Sequence, residues 1–312
     1  MNEQLTALPK RVLVGVSLSD NPFAPELRIV QGDIALIAQA RWYAQQVGAS
    51  LTFFHAIEGA DSEVVGQEKS LHEMIRERSE PLLQEITHSA QGFGIDASYR
   101  IETGIASERL IQATAQDGYD LLMVCFHRDE SAFDRLFHGS TSKRLLRYCP
   151  SPVWVVSPHD ATPVLKHILV PVDFSSASER CIELANSFAA LVGSERYLLH
   201  ALEYPGAIAA LHEANGKEAV QAYRQSVRDE AKKKIDAFLG EERKGWHVFL
   251  VDHPIEKQTK LFCEQKNIDL LIMGTVARTG ITGFFMGNTA ERILASVDTP
   301  ILAVKPKGWR TP

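Results

Sequence analysis

The sequence predicts an α/β fold: two tandem doubly wound domains, each a five-stranded parallel sheet with helices on both faces. Three observations carry this. Short, almost unbroken apolar runs such as Ile268-Asp269-Leu270-Leu271-Ile272-Met273 alternate with longer amphipathic stretches, as expected of strands buried on both faces between crossover helices. The plan occurs twice. Val47 to Glu58 parallels Val192 to Glu203 at an offset of 145, while Asp120 to Met123, Gly139-Ser140 and Pro152-Val153 match Asp269 to Ile272, Gly287-Asn288 and Pro300-Ile301 at offsets of 149, 148 and 148. Finally, 312 residues suit two domains of about 150 residues each.

Taken in order, the first domain (1–157) has strands near 11–16, 51–57, 97–102, 120–125 and 152–156, with helices near 33–47, 66–91, 106–117 and 140–148. The segment from Asp20 to Gln31, holding Pro22 and Pro25, has no counterpart in the second half and is expected to be a surface loop over the first domain's ligand face. Gly92-Phe93-Gly94 follows a helix and lacks the third glycine of a dinucleotide fingerprint, so it reads as a turn. Residues 158–165 form the linker, where Pro158 and Pro163 interrupt the periodic pattern. The second domain (166–312) has strands near 167–172, 196–202, 246–251, 268–273 and 300–304, with helices near 176–191, 217–239, 254–265 and 288–296.

Composition narrows the function. A hydrophobic fraction of 45% supplies two cores. There is no apolar stretch long enough to span a bilayer and no charged-then-apolar amino terminus, so the expectation is a cytosolic protein without a membrane partner. A net charge of −6 gives no general attraction to nucleic acid, and none is expected as a partner. Cys125, Cys149, Cys181 and Cys263 are widely spaced without C-x-x-C; they read as buried reduced thiols rather than a zinc site or disulfide framework.

The most informative stretch is Gly274-Thr275-Val276-Ala277-Arg278-Thr279-Gly280, followed by Met286-Gly287-Asn288-Thr289-Ala290-Glu291. The first segment ends an apolar strand. The second opens a helix with Ala290, Ile293, Leu294 and Val297 on one face, and Asn288 with Glu291 reads as a capping box. Glycines between a strand end and a helix start let backbone amides face an anion, which is the chemistry of a phosphate cradle. Arg278 is the nearest fixed cation and a candidate to counter a phosphate.

These residues resemble the universal stress protein family, most closely its tandem E-type members, over nearly the whole chain. The family's nucleotide motif is glycine, two residues, glycine, nine residues, glycine, then serine or threonine; here Gly274, Ala277, Gly287 and Asn288 fill the four places at intact spacing. Ile168-Leu169-Val170-Pro171-Val172-Asp173-Phe174-Ser175 is also characteristic. The resemblance implies an adenine nucleotide alpha hydrolase-like fold and binding of ATP or another adenine nucleotide, with or without Mg2+, by the second domain. It places Pro171 and Asp173 towards the ligand, Ala201 at the adenine pocket, and Met273 and Gly274 beneath the nucleoside. Val276 and Ala277 would bend over the ribose and phosphates, and Gly287, Asn288 and Thr289 would offer helix-start donors. The first domain departs further, with Ser17 for Asp173, Cys125 for the first glycine, and Phe126 or His127 near the second. Only Gly139-Ser140 remains, which implies that nucleotide binding is lost there. Single-domain family members commonly dimerise through their last strands, so the resemblance implies that Val153 to Val156 and Ile301 to Val304 join the halves as an internal pseudo-dimer, with a homodimer as a further option.

Each feature has a plainer reading. Ala277 adds a methyl group that, at positive φ, is opposed by about 1–2 kcal/mol. Asn288 as a cap would occupy an amide that a phosphate would use, and Glu291 opposes an anion. Arg278 reads equally as a solvated loop residue, and Asp173 as a turn cap. His55 and His200 occupy equivalent strand ends and suit a packing or turn role. Phe284, Phe285 and Met286 suit core packing. No G-x-x-x-x-G-K-[ST], G-x-S-x-G or H-E-x-x-H occurs, so no catalytic residues are assigned and no metal site is expected. A nucleotide-free interaction module, a binder of another small ligand and a slow ATPase are the alternatives to a non-enzymatic nucleotide-binding regulator.

Overall fold

A computed structural model describes residues 8–18, 27–58, 71–125, 140–158, 165–204, 207–252, 254–276 and 286–309. The first half runs β1 (Arg11–Gly15), α1 (Gln31–Val47), β2 (Ser50–Ile57), α2 (Leu71–Gly92), β3 (Ala97–Thr103), α3 (Ala106–Gln116), β4 (Leu121–Cys125), α4 (Ser140–Tyr148) and β5 (Val153–Val156). The second runs β6 (His167–Pro171), α5 (Ser176–Val192), β7 (Glu195–Leu202), α6 (Ala207–Leu239), β8 (Trp246–Asp252), α7 (Ile255–Lys266), β9 (Leu270–Gly274), α8 (Asn288–Ser296) and β10 (Ile301–Val304). The strands form one ten-stranded sheet in the order β3-β2-β1-β4-β5-β10-β9-β6-β7-β8. Every ladder within a half is parallel, and the halves meet where β10 pairs antiparallel with β5, Leu302 facing Trp154. This pairing, expected from the family resemblance, covers two apolar strand edges that would otherwise invite aggregation.

The elements follow their side chains. Leu121 to Val124 and Leu270 to Met273 are buried throughout, because helices cover both faces of the sheet. Two cores result, one on each face. Both run through the two halves, so the strand junction is also a packed interface. Trp154 sits at its centre, edge-on to the rings of Tyr43 and Phe188, with each centroid 5.7 Å from its own. Such T-shaped contacts favour the ring quadrupoles beyond simple burial.

Two helices begin earlier than expected. Helix α6 begins at Ala207, ahead of the expected 217, but Gly216 lies inside it with φ 75° and ψ −174°, outside helical space. The expected start after that glycine therefore marks a real break, preceded by a helical segment that glycine punctuation concealed. Helix α1 begins at Gln31, and Leu18 bridges antiparallel to Ile29, closing the base of the expected Asp20 to Gln31 loop; residues 19–26 lie outside the described residues, as do 159–164 of the linker. Cys149, Cys181 and Cys263 are buried as expected, whereas Cys125 is half-buried because it ends β4 at a cleft. The Gly92 turn forms as read, with Phe93 donating to Ala90 and Gly94 to Gln91.

Candidate functional site

In each half the strand order reverses between two neighbours, β1 and β4 in the first and β6 and β9 in the second. Ligands of open α/β sheets bind at such reversals, beyond the strands' carboxyl ends. The second reversal is opened by its hydrogen bonding. The β6–β9 ladder comprises Ile168 with Leu270 and Leu169 with Leu271, and stops there. Beyond it a cleft of 350 Å³ lies between Pro171, Asp173, Ala201, Met273, Gly274 and Val276, with Gly287, Asn288 and Thr289 on its far wall. Nine of the residues expected from sequence thus surround one cavity. Ala277 and Arg278 lie outside the described residues.

Gly274 is glycine because of what lies beneath it. A Cβ there would sit 2.8 Å from Ala177 Cβ, in the first turn of α5, so the absent side chain lets β9 and α5 approach closely. Past Gly274 the chain is pinned at a neck. Thr275 N–H donates to Val304 O at 3.1 Å, Gly287 N–H donates to Thr275 O at 3.2 Å, and Val276 bridges antiparallel to Met286. Met286 is buried in the core, as expected; Phe284 and Phe285 lie outside the described residues.

Two expectations about the helix start are corrected by this neck. The cap of α8 is Gly287, extended at φ −63° and ψ 138°, and among the described residues no side chain caps the end. Asn288 is already helical, so it and Glu291 form no capping box. The Gly287 N–H is engaged by Thr275, so the helix-start donors begin at Asn288 and Thr289, both exposed at the cleft. First-turn amides have no acceptor within their own helix and carry the positive end of its dipole.

Asp173 forms the rim through a tight turn. Its Oδ1 accepts from Ser175 N–H (3.1 Å), Ser175 Oγ (2.6 Å) and Ser178 Oγ (2.7 Å), while its own N–H donates to Ser178 Oγ at 3.1 Å. Ser175 Oγ in turn accepts from Ser178 N–H and caps α5. Phe174 between them has φ 62°, a left-handed conformation that costs a non-glycine residue about 1–3 kcal/mol. Its ring lies 4.7 Å from His200 and 5.5 Å from Phe238 by centroid, and this packing holds the turn. His200 Nδ1 is 2.9 Å from Val172 O, and His55 Nδ1 is 3.0 Å from Val16 O. A carbonyl only accepts, so each Nδ1 carries the proton and ties one strand end to the next. Burial lowers the His55 pKa, which keeps that ring neutral.

Sequence reasoning missed Ser175 and Ser178, although a serine pair just after a strand-end aspartate signals a capped turn. Ile255 also lines the cleft, and nothing in its apolar context marks it. Asp173 and Glu203 bring two carboxylates to the wall, and its described lining includes no lysine or arginine. Among the described residues no three histidine, cysteine or acidic side chains are grouped to hold a metal ion. No helix among them is long and apolar enough to cross a membrane.

The sequence model of the universal stress protein family matches twice, over residues 28–157 and 165–305. The chain belongs to the universal stress protein family. It is 27% identical over 216 residues to universal stress protein E of Escherichia coli, covering 66% of each chain. With universal stress protein E of Photorhabdus laumondii it shares 25% over 219 residues, covering 66% of this chain and 67% of the relative. The chain thus matches about two thirds of the length of these relatives. The crystal structure of a universal stress protein from Archaeoglobus fulgidus superposes with a TM-score of 0.68 at 17% identity, covering 95% of this chain and 98% of the other. A functionally unknown protein from Pseudomonas aeruginosa superposes at 0.65, also at 17% identity, covering 97% and 95%. These likenesses establish the fold, a universal stress protein architecture repeated in tandem.

Proposed function

We propose that the second half, residues 166–312, is a non-enzymatic domain that binds ATP or a related adenine nucleotide, and that binding biases the protein's conformation or choice of partner in the cytosol. The supporting observation is the uncapped start of α8. Gly287 supplies no side chain, leaving the first-turn amides to a ligand. A cavity of 350 Å³ falls within the range of about 300–1,000 Å³ typical of small-molecule sites. Ala201 is small enough to admit a planar base, Met273 and Gly274 would lie beneath the nucleoside, and Asn288 and Thr289 would hold phosphate oxygens. Asp173 and Glu203 oppose a bare triphosphate, which favours the Mg2+-bound form, in which the metal neutralises part of the anionic charge.

Asn288→Pro tests this without disturbing the helix. Proline is well tolerated at the first helical position, and Gly287 already holds the extended conformation that a following proline requires. The substitution removes one backbone N–H from the cleft. Titration with ATP and a nonhydrolysable analogue should show saturable binding to the native chain and about tenfold weaker binding to the variant, the loss of one hydrogen bond to a charged group. Absence of binding at millimolar nucleotide would defeat the proposal, and steady ATP consumption would turn it towards a slow ATPase.

A further inference from the structure

Lys305 follows β10 and is 3% exposed. Its Nζ donates to Leu146 O at 2.6 Å and to Thr275 Oγ1 at 2.8 Å, and lies 5.1 Å from the centroid of the Trp309 ring. Leu146 belongs to α4 in the first half, near that helix's carboxyl end, where backbone carbonyls attract a cation. Thr275 belongs to the neck of the second cleft, between Gly274 and Val276, and its carbonyl takes the Gly287 N–H. One ammonium therefore joins the first half to the segment that shapes the second cleft. Ser157 occupies the corresponding place after β5, so the first half brings no ammonium there.

We propose that Lys305 is the positioning residue of the second cleft: it braces Thr275 through a bond completed by the docked first half and supplies a positive charge behind the glycine neck that the described cleft wall lacks. This rests on the nucleotide reading above. A cation held away from water acts over a longer range than a solvated one, so it offsets Asp173 and Glu203 without touching ligand. A tandem arrangement then has a purpose beyond duplication, because the first half holds the second half's anion site in shape.

The charge state makes the idea testable. Burial pushes the Lys305 pKa down to about 8, reinforced by Arg147 from the first half, and Cys149 would oppose this only as a thiolate. Arg180 of α5 faces the same strand end, donating to Lys305 O at 3.0 Å, and Lys307 is paired with Glu183. Cys149 stays a thiol, since burial raises its pKa to about 11. Lys305 is thus the group of this cluster that loses charge just above neutrality.

Affinity for a nonhydrolysable ATP analogue with Mg2+ should be measured by calorimetry from about pH 7 to about pH 9.5, a window that ends well short of an ordinary lysine pKa. The native chain should lose about tenfold in affinity across it, Lys305→Met should start about tenfold weaker with a flat profile, and Lys305→Arg should keep affinity and remain flat. A flat native profile, or Lys305→Met binding as tightly as the native chain, overturns the inference while leaving the nucleotide reading intact. If a variant fails to fold, the native profile alone decides. If the native chain binds no adenine nucleotide at any pH, both readings fall.

Discussion

The two clefts occupy the same place in the same topology, yet they exchange a carboxylate for a hydroxyl. In the second half the strand-end residue is Asp173 and its helical partner is Ser178; in the first, the strand-end residue is Ser17 and its helical partner is Asp33, which accepts the Ser17 N–H. The link between strand end and helix start is kept while the carboxyl group moves from the rim into the protein, where Asp33 is fully buried. The ladders differ as well. Four residue pairs join β1 to β4, from Val12 with Leu121 to Gly15 with Val124, against two between β6 and β9. Cys125 then fills the position that Gly274 leaves open. Two copies of one plan have diverged through a few residues at strand ends, one keeping a glycine neck with Asp173 on its rim, the other a 520 Å³ cleft whose lining includes Ser17, His55, Glu58 and Cys125.

The largest expected effect tests whether the halves are energetically one body. Trp154→Ala empties the centre of a core to which α1 of the first half contributes Tyr43 and α5 of the second contributes Phe188. Its cost should be about 3–5 kcal/mol in urea unfolding, and both halves should lose stability together. Trp154→Phe should cost much less, since it also removes an indole N–H that has no hydrogen-bond partner among the described residues. Separate transitions in the native chain would break the comparison by showing two independent domains.

The displaced carboxylate gives the next effect. Burial, opposed by the hydrogen bonds from Ser17, raises the Asp33 pKa from 3.8 to about 7. Between these values the folded chain keeps a proton that the unfolded chain releases, so stability falls as pH rises from 3.8 to about 7 and changes no further above it. The difference between native and Asp33→Asn stability should therefore vary with pH in that window, by on the order of 2–4 kcal/mol in total. A difference independent of pH would mean that Asp33 is ionised in the folded protein.

That exchange also shows what the sequence made legible. Alternation of apolar and amphipathic segments and the repeat offsets sufficed for the alternating strands and helices of both halves, because periodicity and local chain geometry are encoded by neighbouring residues. The junction of β5 with β10 and the nine residues that surround the second cleft came instead from the resemblance to the universal stress protein family. Asp33 stood unmarked because its partner Ser17 lies sixteen positions away across a helix start. Lys305 was likewise unreadable, since its acceptors Leu146 and Thr275 lie 159 and 30 positions away. The capping box at Asn288 failed for a different reason: the pattern of residue types was correct, but the neck fixed the cap one position earlier, at Gly287.

The glycines at the two strand ends provide a matched pair. Gly274→Ala places a methyl 2.8 Å from Ala177 Cβ, an atom fixed to the backbone of α5 that cannot rotate away. Gly15→Ala meets Val124 Cγ1 at 3.2 Å and Leu110 Cδ1 at 3.3 Å, both ends of side chains that can adjust. Overpacking should thus cost about 1–3 kcal/mol at Gly274 and less than about 1 kcal/mol at Gly15. Nucleotide affinity should fall in the first variant and remain unchanged in the second. Equal costs in denaturant titrations would show that β9 and α5 can separate freely, and close packing would then no longer account for a glycine at the floor of the cleft.

The smallest effect concerns how the two helices beside the strand ends begin. Helix α5 is capped by Ser175, whereas α1 starts after Val30 with no side-chain cap. Both caps are extended, at φ −78° and ψ 163° for Ser175 and φ −61° and ψ 138° for Val30, so the backbone at Val30 already suits a capping hydroxyl. Val30→Ser should stabilise the first half by up to about 1 kcal/mol, less whatever the valine methyls contribute through burial. Ser175→Ala should cost about 1 kcal/mol for the cap, with a further loss because Asp173 Oδ1 gives up the hydroxyl at 2.6 Å. If thermal unfolding shows both changes to be neutral, the helix starts are held by packing alone. The Asp173 turn would then owe its shape to Phe174 against His200 and Phe238, rather than to its serines.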